Sequence, residues 1–206
     1  TIALLPGSLA GAWGYRKELA VTRDLIRWLI LPSVIGGVVG AWLATAYENE
    51  FEKIVPWLIL TAAILFAIQA PLKKLVGVGK EHKRATGTRL ILIIFSQLLI
   101  ALYGGYFGAG IGILMLSLLP FMGTGDIHTT NAAKTLLASV INLASVFVFV
   151  LNADVNWTYA PVMAIASILG GYFAARIARK LPAKVIRYIV VCIGFGLAAY
   201  YFLNPK

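Results

Sequence analysis

Between residues 90 and 125 the chain carries no charged side chain. One continuous helix of that length would run about 54 Å at ~1.5 Å per residue, against about 30 Å of hydrocarbon in a bilayer. The stretch must therefore fold back or break. The break is marked by the run Tyr103-Gly104-Gly105-Tyr106-Phe107-Gly108-Ala109-Gly110-Ile111-Gly112, whose five glycines fall within nine positions. Glycines at that density are costly inside a helix. The flanking parts, 89–103 and 111–121, are each short for a span. They are either two tilted spans or two half-helices that meet at depth.

The whole chain repeats this economy of charge. Of its 206 residues, 60% are hydrophobic and 13% charged, with a mean hydropathy of +0.87. A soluble domain is about 45–50% apolar and about 25% charged. So little charge cannot solvate a globule of this size. That excludes an ordinary soluble enzyme, a disordered tail and a secreted disulfide scaffold. It leaves an all-α, polytopic helical membrane protein. Apolar runs lie at 1–15, 25–46, 54–76, 89–103, 111–121, 130–151, 157–178 and 185–202. Those at 25–46, 54–76, 130–151, 157–178 and 185–202 are long enough to cross alone. The first run precedes Arg16 and Lys17, the reverse of a signal peptide's order. The chain thus reads as starting inside a membrane helix, with an earlier segment missing.

The net charge of +10 sits in short segments between the apolar runs. Membrane orientation accounts for that placement, and nucleic acid is not read as a partner. Arg16, Lys17, Arg23 and Arg27 form one basic cluster, and Lys73, Lys74, Lys80, Lys83, Arg84 and Arg89 a second. Arg176, Arg179, Lys180, Lys184 and Arg187 form a third. All three are placed in the cytoplasm. Glu48, Glu50 and Glu52, and separately Asp154, are placed outside. The signs agree throughout if 89–121 returns the chain to the side from which it left. Cys192 has no partner in the chain, and His82 and His128 have no second histidine at ligand spacing. No metal and no cofactor is read.

Slid along itself, the chain shows a weak match at an offset of 134. It pairs Ser33, Gly36, Gly37, Ala41 and Ala44 with Ser167, Gly170, Gly171, Ala175 and Ala178. At an offset of 131, Leu5 and Ser8 pair with Leu136 and Ser139. The charge pattern sends the matched segments through the bilayer in opposite directions. That is the mark of inverted-topology repeats with glycine-broken helices, a frequent plan among secondary transporters. The division is then 1–79 as the remainder of a first repeat, 80–89 as a basic cytoplasmic loop and 90–206 as the second repeat, within one integral membrane domain.

These motifs resemble those of a known family. The glycine run at 104–112 resembles the signature of the sulfite exporter TauE/SafE family. Thr130-Asn131-Ala132-Ala133-Lys134 looks like its Thr-Asn-x-x-Lys element, and Ser167-Ile168-Leu169-Gly170-Gly171-Tyr172 like its late Gly-Gly helix. Ala3-Leu4-Leu5-Pro6-Gly7-Ser8 resembles the element that follows the first of two glycine signatures, which is itself absent here. The resemblance implies a multi-pass permease of the cell membrane that moves small sulfur-containing or organic anions.

The residues themselves offer two readings each. Gly104, Gly105, Gly108, Gly110 and Gly112 either let helices approach closely or break a helix and expose backbone N–H groups to an anion. Lys134 is the only charge between Asp126 and Asp154. It either attracts the anion or snorkels to the interface. Thr130 and Asn131 either donate to substrate oxygens or cap a helix. Pro6-Gly7-Ser8 would interrupt the first helix and set Ser8 opposite Ser139 in a cavity, or is a tolerated kink. The tryptophans are read as an interfacial belt.

A secondary transporter of small anions working by alternating access is the leading expectation, with the bilayer and the anion as partners and a homo-oligomer left open. A gated anion channel is the alternative. An intramembrane enzyme is a weaker one, because no base accompanies Ser8 or Ser139 at depth. No phosphate loop of the Gly-x-x-x-x-Gly-Lys-Ser/Thr type is present, so ATP hydrolysis is not expected on this chain.

Overall fold

The computed structural model describes residues 1–14, 16–76, 85–123, 127–152, 157–178 and 183–203. Among them every regular element is helical. A short 3-10 turn, Ile2–Leu4, leads into α1 (Leu5–Gly14). Then come α2 (Arg16–Ala46), α3 (Glu48–Val76), α4 (Gly87–Tyr106) and α5 (Ile111–Leu118), which is continued by a 3-10 turn, Leu119–Met122. The last three are α6 (Ile127–Asn152), α7 (Ala160–Ala178) and α8 (Ala183–Leu203).

Several boundaries differ from the sequence expectation. The basic stretch at 16–27 is helical, forming the first turns of α2 below an apolar window, Ile26–Ala46. Charge at a membrane edge therefore does not mark a loop here. Glu50 likewise falls in the first turn of α3, where a negative charge suits the helix dipole. Pro6 does not interrupt the first helix. It stands at the second position of α1, where its missing N–H would have no intrahelical acceptor anyway. The 89–103 segment is not short, because α4 continues through Gly104 and Gly105 to Tyr106 and reaches 20 residues. The basic loops around 77–84 and 179–182, and the side chains of Gly170, Gly171 and Tyr172, lie outside the described residues.

The side-chain distribution is that of a membrane protein. On α4 the buried face carries Ile93, Gln97, Ala101, Gly104 and Gly105, while Ile91, Leu92, Phe95 and Leu99 are exposed. A water-soluble helix would bury Phe95 and expose Gln97. On α6, Thr130, Ala133, Leu137, Ile141 and Ser145 face inward, and Leu143, Phe147 and Leu151 face out. Large apolar residues outside and small or polar ones inside are what lipid demands, since lipid is as apolar as leucine and only packing and hydrogen bonds favour the interior. All five tryptophans are exposed, and Trp28 and Trp42 bracket the apolar window of α2. Ile26–Ala46, Gly87–Tyr106 and His128–Asn152 are each long and apolar enough to cross a membrane. The chain is a polytopic helical membrane protein.

Helix α2 packs chiefly against α4 and α6, and α3 against α8. The core lies where α2, α4, α5 and α6 converge, built on Leu29, Ile93, Met115, Leu119, Leu137 and Ile141. The α2–α4 seam is held by backbone contact. A methyl group on Gly40 would run into the Leu102 carbonyl oxygen, and one on Gly105 into that of Gly37.

Candidate functional site: the glycine break between α4 and α5

The break occupies only residues 107–110. Gly108 and Gly110 take φ of +85° and +82°, a region that L side chains rarely adopt. The Phe107 and Gly108 amides both donate to the Tyr103 carbonyl, at 2.9 and 3.2 Å. The Tyr103 hydroxyl donates to the Ala109 carbonyl at 2.9 Å, which pins the turn from the other side. Gly110 then caps α5, and the Ile113 amide donates to its carbonyl at 2.9 Å.

Three neighbours locate this turn. Gly105 abuts Gly37, near the middle of the α2 window Ile26–Ala46. A Cβ on Gly104 would lie 3.2 Å from the Ile141 side chain, near the middle of α6. One on Gly110 would lie 3.4 Å from Leu65 and 3.9 Å from the Cα of Ala62, the midpoint of α3. The turn therefore follows the α2–α4 and α4–α6 contacts: Tyr106, the last residue of α4, packs its ring on Phe51 in the first turn of α3 with centroids 5.1 Å apart, and Gly110 comes against the middle of α3. Its two legs come back together, because the Ala85 amide donates to the Met122 carbonyl at 3.3 Å. The hairpin leaves one end of the bundle and returns to it. Its first leg, α4, is as long as a full span, and its second, α5 with the 3-10 turn that continues it, is shorter.

A helix that begins there presents its first N–H groups and the positive end of its dipole beside the middle of α3. The amides of Ile111 and Gly112 are those of the first turn of α5. Lys134 comes to the same place. A Cβ on Gly112 would lie 3.5 Å from Cδ of Lys134, so the lysine stem lies across the glycine. Lys134 is half-buried and two turns into α6. Thr130, fully buried, is one turn before it on the same helix, and Asn131 is half-buried. Since α6 starts at Ile127, neither Thr130 nor Asn131 is its N-cap. The Asn131 carbonyl accepts from the Thr135 hydroxyl at 2.8 Å.

The structure thus assembles Gly108, Gly110, Gly112 and Lys134 around one helix start, and sets the other expected residues elsewhere. Gly104 and Gly105 are in helical conformation and serve the contacts with α2, α5 and α6. The Ser139 hydroxyl lies 2.8 Å from both the Ser8 and the Thr135 carbonyl oxygens. That contact belongs to the α1–α6 seam. Five residues of helix separate Ser139 from Lys134 by about 140° around the axis, so the two do not face one cavity. Sequence reasoning passed over Gln97, which is fully buried and bonded to Ser33. Among the described residues no group of three or more His, Cys, Asp or Glu stands ready to hold a metal.

One consequence is testable at Gly110. Gly110→Ala puts a side chain at φ +82° beside Leu65 and is expected to destabilise the protein by about 1–2 kcal/mol. Gly196→Ala has nothing within 4 Å and no positive φ, and is the matched control. Thermal unfolding in detergent separates the two.

Comparison with known proteins gives a consistent result. The model of a family described as sulfite exporter TauE/SafE matches residues 1–201. A "Probable membrane transporter protein ORF9" of a Sinorhizobium species is 30% identical over 179 residues, covering 86% of this chain. The match spans 66% of that relative's length, just under two thirds. A "Probable membrane transporter protein" of Haemophilus influenzae is 27% identical over 197 residues, covering 94% of this chain and 74% of the relative. No solved structure matches.

Proposed function

The chain belongs to the sulfite exporter TauE/SafE family, and from that premise we propose that it carries small sulfur-containing anions, sulfite or a related sulfonate, across the cell membrane. The family and the names of its relatives support a membrane transporter. In this reading the anion is held at the first turn of α5 by backbone N–H groups and the dipole, with the Lys134 ammonium supplying a full opposing charge. The observation that carries the reading is the Lys134 stem lying across Gly112 in the first turn of α5, a helix that begins beside the middle of α3. Glycines leave the main chain bare to an oxyanion, which no side chain then blocks. Thr130, one turn before Lys134 on α6, is read as adding a hydrogen bond to the anion.

Two inverted halves would rock about this site. The Ser139 hydroxyl meeting the Ser8 carbonyl supports that plan. Ser8 and Ser139 are matched positions of the two repeats, and residues equivalent under a two-fold axis meet where the axis passes between them. An anion leaving a cell with a negative interior gains about 2.3 kcal/mol per charge per 100 mV, which favours export.

The test is flux of sulfite, thiosulfate and sulfoacetate in proteoliposomes holding the full-length protein. Saturable uptake stimulated by anion on the opposite face is the expected result. Flux linear in concentration, with no exchange, would instead make it a pore. No flux of any anion by correctly inserted protein would remove the anion reading.

A further inference from the structure

Gln97 stands on the buried face of α4 with none of its side chain exposed, between Ile93 and Ala101. Its Nε2 donates to the Ser33 hydroxyl oxygen across the α2–α4 seam at 2.9 Å. The Ser33 hydroxyl gives its one hydrogen to the Leu29 carbonyl at 2.7 Å. These two bonds fix the amide's orientation. Rotated the other way, the Gln97 oxygen could be met only if the Ser33 hydroxyl gave up the Leu29 carbonyl, and the amide N–H groups would lose the serine acceptor, so one bond would replace two. The group left over is therefore an acceptor. Oε1 has no hydrogen-bond partner among the described residues, and it is buried.

A lone carbonyl oxygen in the middle of a membrane bundle discriminates in one direction. It repels a bare anion and binds anything that brings an O–H. Its position bears on the proposed pathway. Gln97 shares a face of α4 with Gly104, two turns away, or roughly 10 Å along the helix. Ser33 is one turn from Gly37, which abuts Gly105 near the end of α4. Gln97 lies on the leg of the hairpin that leads toward Ala85, and Ser33 faces it from α2.

We propose that Gln97, oriented by Ser33, is a specificity-determining acceptor that favours solutes carrying an O–H beside their anionic group, such as a monoprotonated oxyanion or a hydroxysulfonate. The inference rests on the anion-carrier reading above and names which anions that carrier prefers. The solute is held first at the start of α5 and then passes Gln97. The residue is closed off in this structure and becomes reachable when α5 swings on the Gly108–Gly110 turn. A water molecule offers the same O–H chemistry, and the two sources predict different results.

The probes are ethanesulfonate and 2-hydroxyethanesulfonate, equal in charge and differing by one hydroxyl. Wild-type full-length protein in proteoliposomes is expected to prefer the hydroxylated sulfonate by about tenfold or more in kcat/KM. Gln97→Leu is expected to lose that preference while keeping ethanesulfonate flux. The double variant Gln97→Leu/Ser33→Ala removes both partners together and gives the same result if the single variant folds poorly. Independently of any variant, the hydroxylated sulfonate should stabilise the wild-type protein against thermal unfolding more than ethanesulfonate does. Equal stabilisation overturns the proposal. So does an unchanged preference in a folded Gln97→Leu, which would assign Oε1 to a structural water. No wild-type flux of either sulfonate or of sulfite overturns both this inference and the carrier reading. Sulfite and sulfonate flux without hydroxyl preference overturns this inference alone.

Discussion

Replacing Lys134 by methionine is expected to lower saturable anion uptake by about 10- to 100-fold, with little change in stability. Methionine keeps an unbranched apolar stem that can lie across Gly112, where Cδ of the lysine now sits 3.5 Å from a would-be Cβ. What it removes is the charge. A hydrogen bond to a charged group contributes about 1.5–3 kcal/mol, and each 1.4 kcal/mol is a factor of ten in binding. If the ammonium holds the anion, the loss appears in kcat/KM as a change in transition-state and ground-state binding together. If Lys134 instead snorkels to the membrane edge, methionine is neutral for flux and slightly favourable for stability, because a lysine within a span is itself costly. Lys134→Arg separates charge from shape. It restores uptake in part if a point charge suffices, and fails if the wider guanidinium cannot fit over Gly112. The measurement is initial-rate uptake in proteoliposomes, normalised to inserted protein.

The glycine break was legible in the sequence, for a physical reason. An uncharged run too long for one span has to break, and only the glycines of 104–112 offered a place. The position within that run was not legible. Gly104 and Gly105 remain helical because Gly37 and Ile141 press against them, and a contact with a glycine so distant in sequence leaves no local trace. Lys134 was conspicuous as a lone charge, but nothing in the spacing could say that its stem crosses Gly112. The Ser8–Ser139 contact was foreshadowed by the repeat offset, whereas its separation from Lys134 follows only from the phase of α6. The basic residues at 16–27 misled about the start of α2, since charge reports the edge of the bilayer and not the end of a helix. Gln97 escaped notice because a neutral amide in an apolar run is ordinary. It becomes informative once Ser33 and Leu29 fix which of its atoms is left unpaired.

The second large effect is expected at the α2–α4 seam. Gly105→Ala places a methyl group against the backbone carbonyl of Gly37, with the Gly37 carbon atoms at 2.9 Å. Backbone at the centre of two helices cannot step aside as a flexible side chain does, so the helices themselves must part. Overpacking of this kind costs about 1–3 kcal/mol and occasionally more. The upper end is expected here because Gly40 and Gly36 sit on the same stripe of α2. A methyl on Gly36 would meet the Ala101 Cβ at 2.6 Å and the Leu98 carbonyl at 2.7 Å. In a bilayer, close backbone approach is much of what drives helix association, since apolar burial gives no advantage over lipid. Parting α2 from α4 also pulls Gln97 away from Ser33 and exposes a second unmet polar group. Gly7→Ala is the opposite case, with nothing within 4 Å of the new methyl in α1, where alanine favours the helix by about 0.8–1 kcal/mol over glycine. The expected outcome is a lowered thermal midpoint or failed insertion for Gly105→Ala and an unchanged or raised midpoint for Gly7→Ala, read by tryptophan fluorescence in detergent. Equal midpoints would mean that α2 and α4 lie farther apart than their glycines now place them.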